Sequence, residues 1–288
     1  MPSPGLRCIE MNHGSQSPIF ELRTTRVKAL FLAWQAAHPM QEGGVASRAW
    51  YPIGRLEASA DRKHYRFAYT RGAERAHAEA GFAPLESFPT LGRVYEDDEL
   101  FPLFQNRLVS DRRGDYRTFV ERLALDPANA DPMEVLALSE GRRQTDHLEV
   151  FPMLAPHRDG SFTCRFFLHG WRHVNAHSQA RLQTLTEGEA LQVALELNNP
   201  KTGPAVQIET ANDYHMLGWA PRYLVTDLLK AMAESGGSIA ARVVRLNTEP
   251  APPNQRVLVE LSGRFAADYR PMSGQDFQPL VSADVALH

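Results

Sequence analysis

Three histidines recur every four residues in the middle of the chain, and their spacing suggests a metal site. On a helix, His169, His173 and His177 would align three imidazoles, which are common zinc ligands. Gly170 and the strand-like sequence FTCRFFLH before it are incompatible with such a helix. On a strand and a loop the three rings need not converge, so we predict no metal site and no bound cofactor.

His157-Arg158-Asp159 spells the triplet of the protein-kinase catalytic loop, in which an Asn five residues after the Asp holds a metal ion. That position is Cys164 here, and no Gly-rich phosphate loop precedes the triplet. Gly160 instead leads into an apolar strand, which favours a hairpin turn. No P-loop, nucleophile elbow, dinucleotide fingerprint or paired-cysteine zinc motif is present. We therefore predict no enzyme activity, with a metal-dependent nuclease built from scattered acidic residues as the open alternative.

Composition and charge restrict the kinds of partner. The chain has 288 residues, 43% hydrophobic and 23% charged, which suggests about two globular domains. A net charge of −3 excludes a broad basic surface, so any contact with nucleic acid must be local. No apolar run approaches the ~20 residues of a membrane span, and the N-terminal sequence lacks the pattern of a signal peptide. Because Cys8 and Cys164 lie far apart and form no motif, we expect a soluble cytoplasmic protein with reduced thiols and no membrane contact.

The order of patterns along the chain predicts an α+β protein of two domains. Pro152, Pro156 and the turn that ends at Gly160 mark the boundary between them. We predict a disordered N-terminal tail (1–20), a mixed α+β domain (21–156), a small barrel-like β domain with one main helix (160–266) and a loose C-terminal tail (267–288).

Periodicity and turn residues place the elements of the first domain. In HYRFAYT, Tyr65, Phe67 and Tyr69 alternate with other residues, which predicts a half-buried strand. Gly81 stands where a helix usually ends. The remaining predicted elements are strands at 29–35 and 47–57 around a Gly43-Gly44 turn, helices at 71–80, 97–108, 115–125 and 131–139, and a strand at 147–151.

The second domain alternates short strands with turn signals. A helix begins at Pro221, where a missing N–H costs nothing, and Gly236-Gly237 ends it near Glu234. About six strands with one main helix indicate a barrel-like domain. The predicted strands are 161–169, 190–197, 205–210, 214–219, 238–246 and 256–262, with a short helix or turn at 178–185.

Three sequence blocks in this domain occur in a recognisable order. They are FFLHGWRHV, a strand leading into a Gly-aromatic-Arg turn; LQVALELNNPKTGPAVQIE, two strands around an Asn-Asn-Pro turn; and HMLGWAPRYLVTDLL, a strand followed by a helix that begins at a proline. In this order and spacing, residues 161–265 resemble the HIRAN domain, found in some SWI/SNF-type repair helicases and in bacterial proteins. The resemblance implies a β-rich, barrel-like module that binds single-stranded DNA and favours a 3′ end.

The resemblance also implies a binding pocket. The residues carried over by position are Arg172 and His173 as a first wall, Asn198 and Asn199 toward a terminal base or sugar, and Trp219 and Arg222 beside a phosphate. Such residues suit nucleic acid, because flat rings stack on bases, amides both donate and accept hydrogen bonds, and guanidiniums hold phosphates. The same types also fit structural roles, since a tryptophan can be core, asparagines can simply form a turn and arginines can be plain surface residues.

The chain departs from better-known members beside this pocket. They carry a Tyr-Asp pair after the Asn-Asn-Pro turn, where this chain has Lys201-Thr202, and an aromatic ring where it has His173. The changes weaken stacking on bases, and Lys201 adds a positive charge that attracts phosphates. They favour contact with the backbone over strict recognition of a 3′ hydroxyl.

The first domain is similar to the N-terminal domain of HipA-type toxin kinases over about residues 45–155. The similarity lies in a strand ending in Gly-Arg-Leu, an F-x-Y strand, the segment LESFP at 85–89 and an FPLFQNRL helix at 101–108. In those kinases this domain is regulatory and contacts partners, and a catalytic lobe follows it. Here the HIRAN-like segment follows instead.

Two functions from different classes follow. The first is a non-catalytic adaptor that recognises single-stranded DNA or DNA 3′ ends, in DNA repair or defence, while the first domain docks a kinase, helicase or regulator. The second is a toxin–antitoxin or defence-system regulator that acts by protein contacts through the HipA-like domain.

Overall fold

Two antiparallel sheets organise the computed structural model, which describes residues 27–42, 45–234 and 239–281. The predicted tail at 1–20, the Gly43-Gly44 turn, the Gly236-Gly237 stop and Cys8 lie outside the described residues. No helix within the described ranges is long and apolar enough to cross a membrane. The predicted α+β class is confirmed.

The first sheet has five strands in the order β4-β3-β2-β1-β5, and the helices lie in its connections. Its strands are β1 (Ala29–Glu42), β2 (Val45–Ala58), β3 (Tyr65–Tyr69), β4 (Val94–Asp97) and β5 (Leu148–Pro152). Its helices are α1 (Arg71–Ala80), α2 (Pro102–Gln105), α3 (Tyr116–Arg122) and α4 (Pro132–Ser139). Gly81 ends α1 with a left-handed φ of 71°, as its position in the sequence predicts.

The predicted helix at 97–108 is wrong in its first part. Asp97 ends strand β4, whose Val94 pairs with Ala68 of β3. The helical residues are only Pro102–Gln105, because Phe101 is extended and Pro102 occupies the first helical position.

The second sheet has six strands in the order β6-β11-β10-β7-β8-β9. Its strands are β6 (Ser161–Phe167), β7 (Ala190–Asn199), β8 (Gly203–Thr210), β9 (Met216–Trp219), β10 (Ala240–Leu246) and β11 (Val257–Arg264), and its helices are α5 (Ala176–Leu182) and α6 (Val225–Glu234). His169 and Trp219 exchange both backbone hydrogen bonds, at 3.0 and 2.9 Å, and so link the two outer strands. This bridge closes the sheet into a barrel.

The start of the main helix differs slightly from its prediction. Pro221 is extended, residues Arg222–Leu224 form one 3-10 turn, and α6 begins at Val225. The 3-10 turn projects Arg222 outward while Tyr223 and Leu224 are buried.

Strand β1 has two buried faces, and each face belongs to a different core. Leu30 and Leu32 pack with the helices of the first half, whereas Phe31 and Ala33 join the core of the barrel. The first sheet therefore lies between its own helices and the barrel. This explains the continuous apolar run of β1, since a strand buried on both faces does not alternate. The predicted boundary at 156–160 remains a prediction, although buried side chains are shared across it.

Phe151 on β5 is the centre of this shared core. Its ring stacks on Phe31 at 5.5 Å and on Tyr223 at 4.4 Å between centroids, and it contacts Trp50 at 5.3 Å. Phe277 meets it edge-on at 6.5 Å. One side chain thus joins the first sheet, the entry to α6 and the C-terminal segment.

Within the predicted C-terminal tail (267–288), the described residues 267–281 contact both halves of the chain. The Tyr269 hydroxyl donates to Asp227 at 2.7 Å, and Met272 is buried. Farther on, the Leu280 amide donates to the Tyr69 carbonyl at 2.9 Å and Pro279 bridges to Thr70. The apolar residues of the segment follow no strand or helix period, but its anchors lie on both halves.

We predict that Phe151→Ala lowers the free energy of unfolding by about 3–5 kcal/mol, as expected for a buried aromatic side chain. Both halves should unfold together at lower denaturant, because the ring belongs to a core shared by both. Urea titrations followed by far-UV circular dichroism and tryptophan fluorescence measure this. The control is Leu195→Ala, which removes a side chain of a residue 44% exposed and should cost less than about 0.5 kcal/mol. Two separate transitions, of which only one moves in Phe151→Ala, would contradict the shared core.

Candidate functional site

An open cleft of about 390 Å³ lies where the two halves meet. Trp50 of β2 forms one wall, and Lys201, Thr202 and Pro204 of the β7–β8 turn form another. Arg222 and the first residues of α6 complete it. Two cations and one aromatic ring therefore face a single concavity.

The β7–β8 hairpin reaches the cleft because it extends beyond the barrel. Strand β10 pairs with β7 only at Ala190 and Leu191, whereas β7 and β8 stay paired as far as Asn199 and Gly203. At the tip, the Asn199 Oδ1 accepts from the Lys201 amide at 3.0 Å, which is the local bond of an Asx turn. Asn199 therefore has the turn-forming role and places Lys201 at the cleft.

Arg222 is exposed and forms no hydrogen bond or salt bridge with a described residue. Its backbone is fixed, because the neighbouring Tyr223 is buried against Phe151. Partial burial lowers the pKa of the Arg222 guanidinium; the Glu149 carboxylate opposes this and Arg142 adds to it. The guanidinium is nonetheless a cation at any physiological pH, so it presents to the cleft a donor fork without a hydrogen-bond partner among the described residues.

Trp219 and Asn199 lie together in a different place. The carboxylate of Glu196 accepts from the Trp219 Nε1 at 2.6 Å and from the Asn199 Nδ2 at 3.0 Å. Trp219 pairs with Gln207, which alternates with the core residue Val206. This cluster therefore lies on the face of β8 opposite to Val206, and none of its members lines the cleft.

Glu196 is a residue that sequence reasoning missed. Desolvation acts to raise the pKa of its carboxyl, but hydrogen bonds from Asn199, Trp219 and Gln207 hold it below its ordinary value. An ionised carboxylate repels a phosphate and accepts from a hydroxyl or amino group. Only the alternation of LQVALELNN, which puts Glu196 on the face away from Leu195, hints at its position.

Arg172 and His173 lie on an exposed 3-10 turn, Trp171–His173, next to Trp219. The turn follows Gly170, whose φ is 68° and whose Cβ, if it had one, would lie 2.5 Å from the Trp219 ring. Glycine therefore lets the indole pack against the turn. Asn198 is exposed at the end of β7. The predicted pocket residues thus do not form one group. Lys201 and Arg222 line the cleft, whereas Asn199 and Trp219 share the Glu196 carboxylate. Arg172 and His173 lie on the turn after Gly170, and Asn198 does not line the cleft.

Salt bridges distinguish the basic residues of the predicted pocket from the other basic residues of the barrel. Ten Lys and Arg residues lie between 161 and 265. Six of them form salt bridges: Arg165, Arg181, Arg242, Arg245, Arg256 and Arg264. The four that form none with a described residue are Arg172, Lys201, Arg222 and Lys230. Three of these four belong to the predicted pocket.

The three regularly spaced histidines do not converge. His169 pairs with the buried Glu140 through its Nε2 at 2.7 Å, while His173 and His177 are exposed on the 3-10 turn and on α5. Within the described ranges, no three His, Cys, Asp or Glu side chains are grouped so as to hold a metal ion. The Glu140 carboxylate also pairs with Arg142 of the first half at 2.9 Å, so its bond to His169 is the one that links the residue after α4 to the barrel.

The kinase-like triplet forms a turn, as predicted. The Gly160 amide donates to the His157 carbonyl at 2.9 Å, and Gly160 has a left-handed φ of 81°. The Asp159 side chain accepts from the Ser161 amide and hydroxyl. Its carboxylate therefore stabilises the local turn.

Comparison with known proteins identifies one region. Residues 161–265 match the model of the HIRAN domain. A crystal structure of a protein from Lactobacillus plantarum is similar, with 22% identity, 36% of this chain and 97% of that chain covered, and a TM-score of 0.26. No curated protein matches the chain. The comparisons give no support to a HipA-like first half. The barrel of β6–β11, with its α5 and α6, is a HIRAN domain.

Proposed function

We propose that this chain is a non-catalytic DNA-binding adaptor whose HIRAN domain recognises single-stranded DNA or DNA 3′ ends, in DNA repair or defence. HIRAN domains are generally linked to recognition of DNA ends or single strands. The proposal adds the residues through which this chain would do so.

The observation that carries the proposal is the distribution of unpaired cations. In a protein of net charge −3, most basic side chains of the barrel are neutralised by carboxylates. Among the described residues, Arg172, Lys201 and Arg222 pair with no carboxylate, and they lie on turns, where a ligand has access. Unpaired cations on a near-neutral surface form a local phosphate site rather than a basic coat.

The two groups of residues suit two parts of a nucleotide chain. Lys201 and Arg222 offer donors to phosphates in the cleft. Around Trp219, the Glu196 carboxylate favours a hydroxyl or exocyclic amino group over a phosphate. The end of a DNA strand that passes from the cleft to the Trp219 ring would first meet Lys201 and Arg222, which donate hydrogen bonds to phosphates. It would then meet the Glu196 carboxylate, which accepts a hydrogen bond from a hydroxyl.

The proposal includes no catalytic step. The scattered-carboxylate nuclease and the protein-contact regulator are the competing functions, and no specific observation favours either of them. The docking of a kinase, helicase or regulator by the first half is part of the proposal that rests on resemblance alone.

We predict that the full chain binds a short single-stranded oligonucleotide with a free 3′ hydroxyl about 3- to 10-fold more tightly than the same sequence with a 3′ phosphate or closed into a circle. One net hydrogen bond to the terminal hydroxyl gives a difference of this order. Fluorescence anisotropy at fixed salt measures it. Parallel incubation with Mg²⁺ or Mn²⁺ should leave the DNA intact. Equal affinity for the three oligonucleotides would reject end recognition, and absence of binding to all three would reject the function.

Arg222→Ala should weaken binding and also make it less sensitive to salt. With two or three phosphate contacts on a single strand, log affinity falls against log salt with a slope of roughly −1.5 to −2, and loss of one contact reduces that slope by about 0.7. Lys230→Ala is the matched control, because Lys230 is also an unpaired cation of the barrel but does not line the cleft. An identical slope in wild type and Arg222→Ala would place the phosphate contacts elsewhere.

Arg172→Ala tests the turn next to Trp219. We expect a loss of affinity of about 3- to 10-fold with an unchanged midpoint of thermal unfolding, because the Arg172 side chain is exposed and unpaired among the described residues. Asn199→Ala should also weaken binding, but it removes the Asx-turn bond to Lys201 and so reports on turn geometry as well. Unchanged affinity in both variants would limit the site to the cleft.

A further inference from the structure

Trp50 lies outside the HIRAN domain but lines the cleft. It pairs with Gln35 in the β1–β2 hairpin, beyond Gly54, where β2 stops pairing with β3. The pairing of β1 with β5 ends at the same level, where the Gln35 amide still donates to the His147 carbonyl at 2.9 Å. Trp50 therefore lies where the hairpin leaves its own sheet, as the tip of the β7–β8 hairpin extends past the barrel. Residues of both hairpins line the cleft.

The Trp50 ring is held in place by packing. It contacts Phe151 at 5.3 Å between centroids with an interplanar angle of 38°, and Phe151 in turn stacks on Tyr223. Its Nε1 is buried without a hydrogen-bond partner among the described residues. Contact with other rings, rather than hydrogen bonding, thus fixes an indole that is still partly exposed.

The composition of the cleft matches one nucleotide of a single strand. A partly exposed indole offers stacking to any base, while Lys201 and Arg222, which line the same cleft, offer donors to phosphate oxygens. Thr202 and Thr226 add hydroxyls that both donate and accept. The volume of about 390 Å³ lies in the range of sites for small ligands.

We infer that the cleft is a composite site, in which Trp50 of the first half stacks on one base of a single-stranded DNA whose flanking phosphates contact Lys201 and Arg222. This inference rests on the proposed function and deepens it. It makes the first half part of the DNA site, so that the HIRAN domain alone contains only half of the cleft. Because stacking is indifferent to base identity, this contact adds affinity without sequence preference.

The test compares variants of the full chain. Trp50→Leu should weaken binding of a 3′-ended single strand about 5- to 100-fold, the range expected for loss of one base stack, and Trp50→Phe should restore part of it. Trp34→Leu is the matched control, because Trp34 is a partly buried indole of the neighbouring strand that packs on Tyr51 and Phe82 and does not line the cleft. Both leucine variants are first compared with wild type by thermal unfolding.

An abasic scan of the oligonucleotide separates stacking from a structural effect and needs no variant that could fail to fold. With wild-type protein, removal of one particular base should cost about as much affinity as Trp50→Leu. With Trp50→Leu, the same abasic site should cost nothing more, because the two changes remove one interaction. The inference would be overturned if wild type bound every abasic oligonucleotide as tightly as the intact one. It would also be overturned if the losses from the abasic site and from Trp50→Leu were additive.

The outcomes distinguish this inference from the proposed function. If wild type and Trp50→Leu bind equally well, the DNA-binding function stands and the composite site is wrong. If wild type does not bind single-stranded DNA, the proposed function fails and the inference fails with it.

Discussion

The packing of Phe151 is the contact on which the arrangement of the molecule depends. Its ring is shared by Phe31 of the first sheet, Tyr223 at the entry to α6 and Phe277 of the C-terminal segment. Trp50 packs on the same ring. Because an aromatic side chain buries a large apolar area, one residue can fix several elements at once. This contact holds Trp50 of the β1–β2 hairpin and the start of α6 side by side at the cleft.

Charge pairing gives the site its local character. The buried Glu260 carboxylate pairs with Arg165 and Arg242, and these hydrogen bonds and charges hold its pKa below the ordinary value despite desolvation. Glu140 pairs with Arg142 of its own half and with His169 across the boundary of the halves. Such pairs neutralise most cations near the core. The few that stay unpaired on turns therefore carry most of the attraction that the barrel can exert on an anion.

Part of the candidate site could be predicted from the sequence. The order of the strand, turn and helix blocks identified the HIRAN domain, and with it Lys201 and Arg222. The separation of Lys201 and Arg222 from Asn199 and Trp219 could not be predicted from the sequence. It depends on the face of β8 on which residues of β7 and β9 lie. Glu196 and Trp50 were missed for the same reason: one is a charge in an alternating strand, and the other is an aromatic residue in a hairpin of the other half.

The sequence by itself determined the local features: the strand β3, the glycine that ends α1, the turn at Gly160 and the succession of strands along the second half. These follow from backbone preferences and from the period of each element, which are encoded within a few residues. The tertiary structure alone decided that β1 is buried on both faces, that residues 278–280 return to the first sheet and that Trp50 and Arg222 line one cleft. Contacts between residues far apart in sequence decide these features, and no local pattern records them.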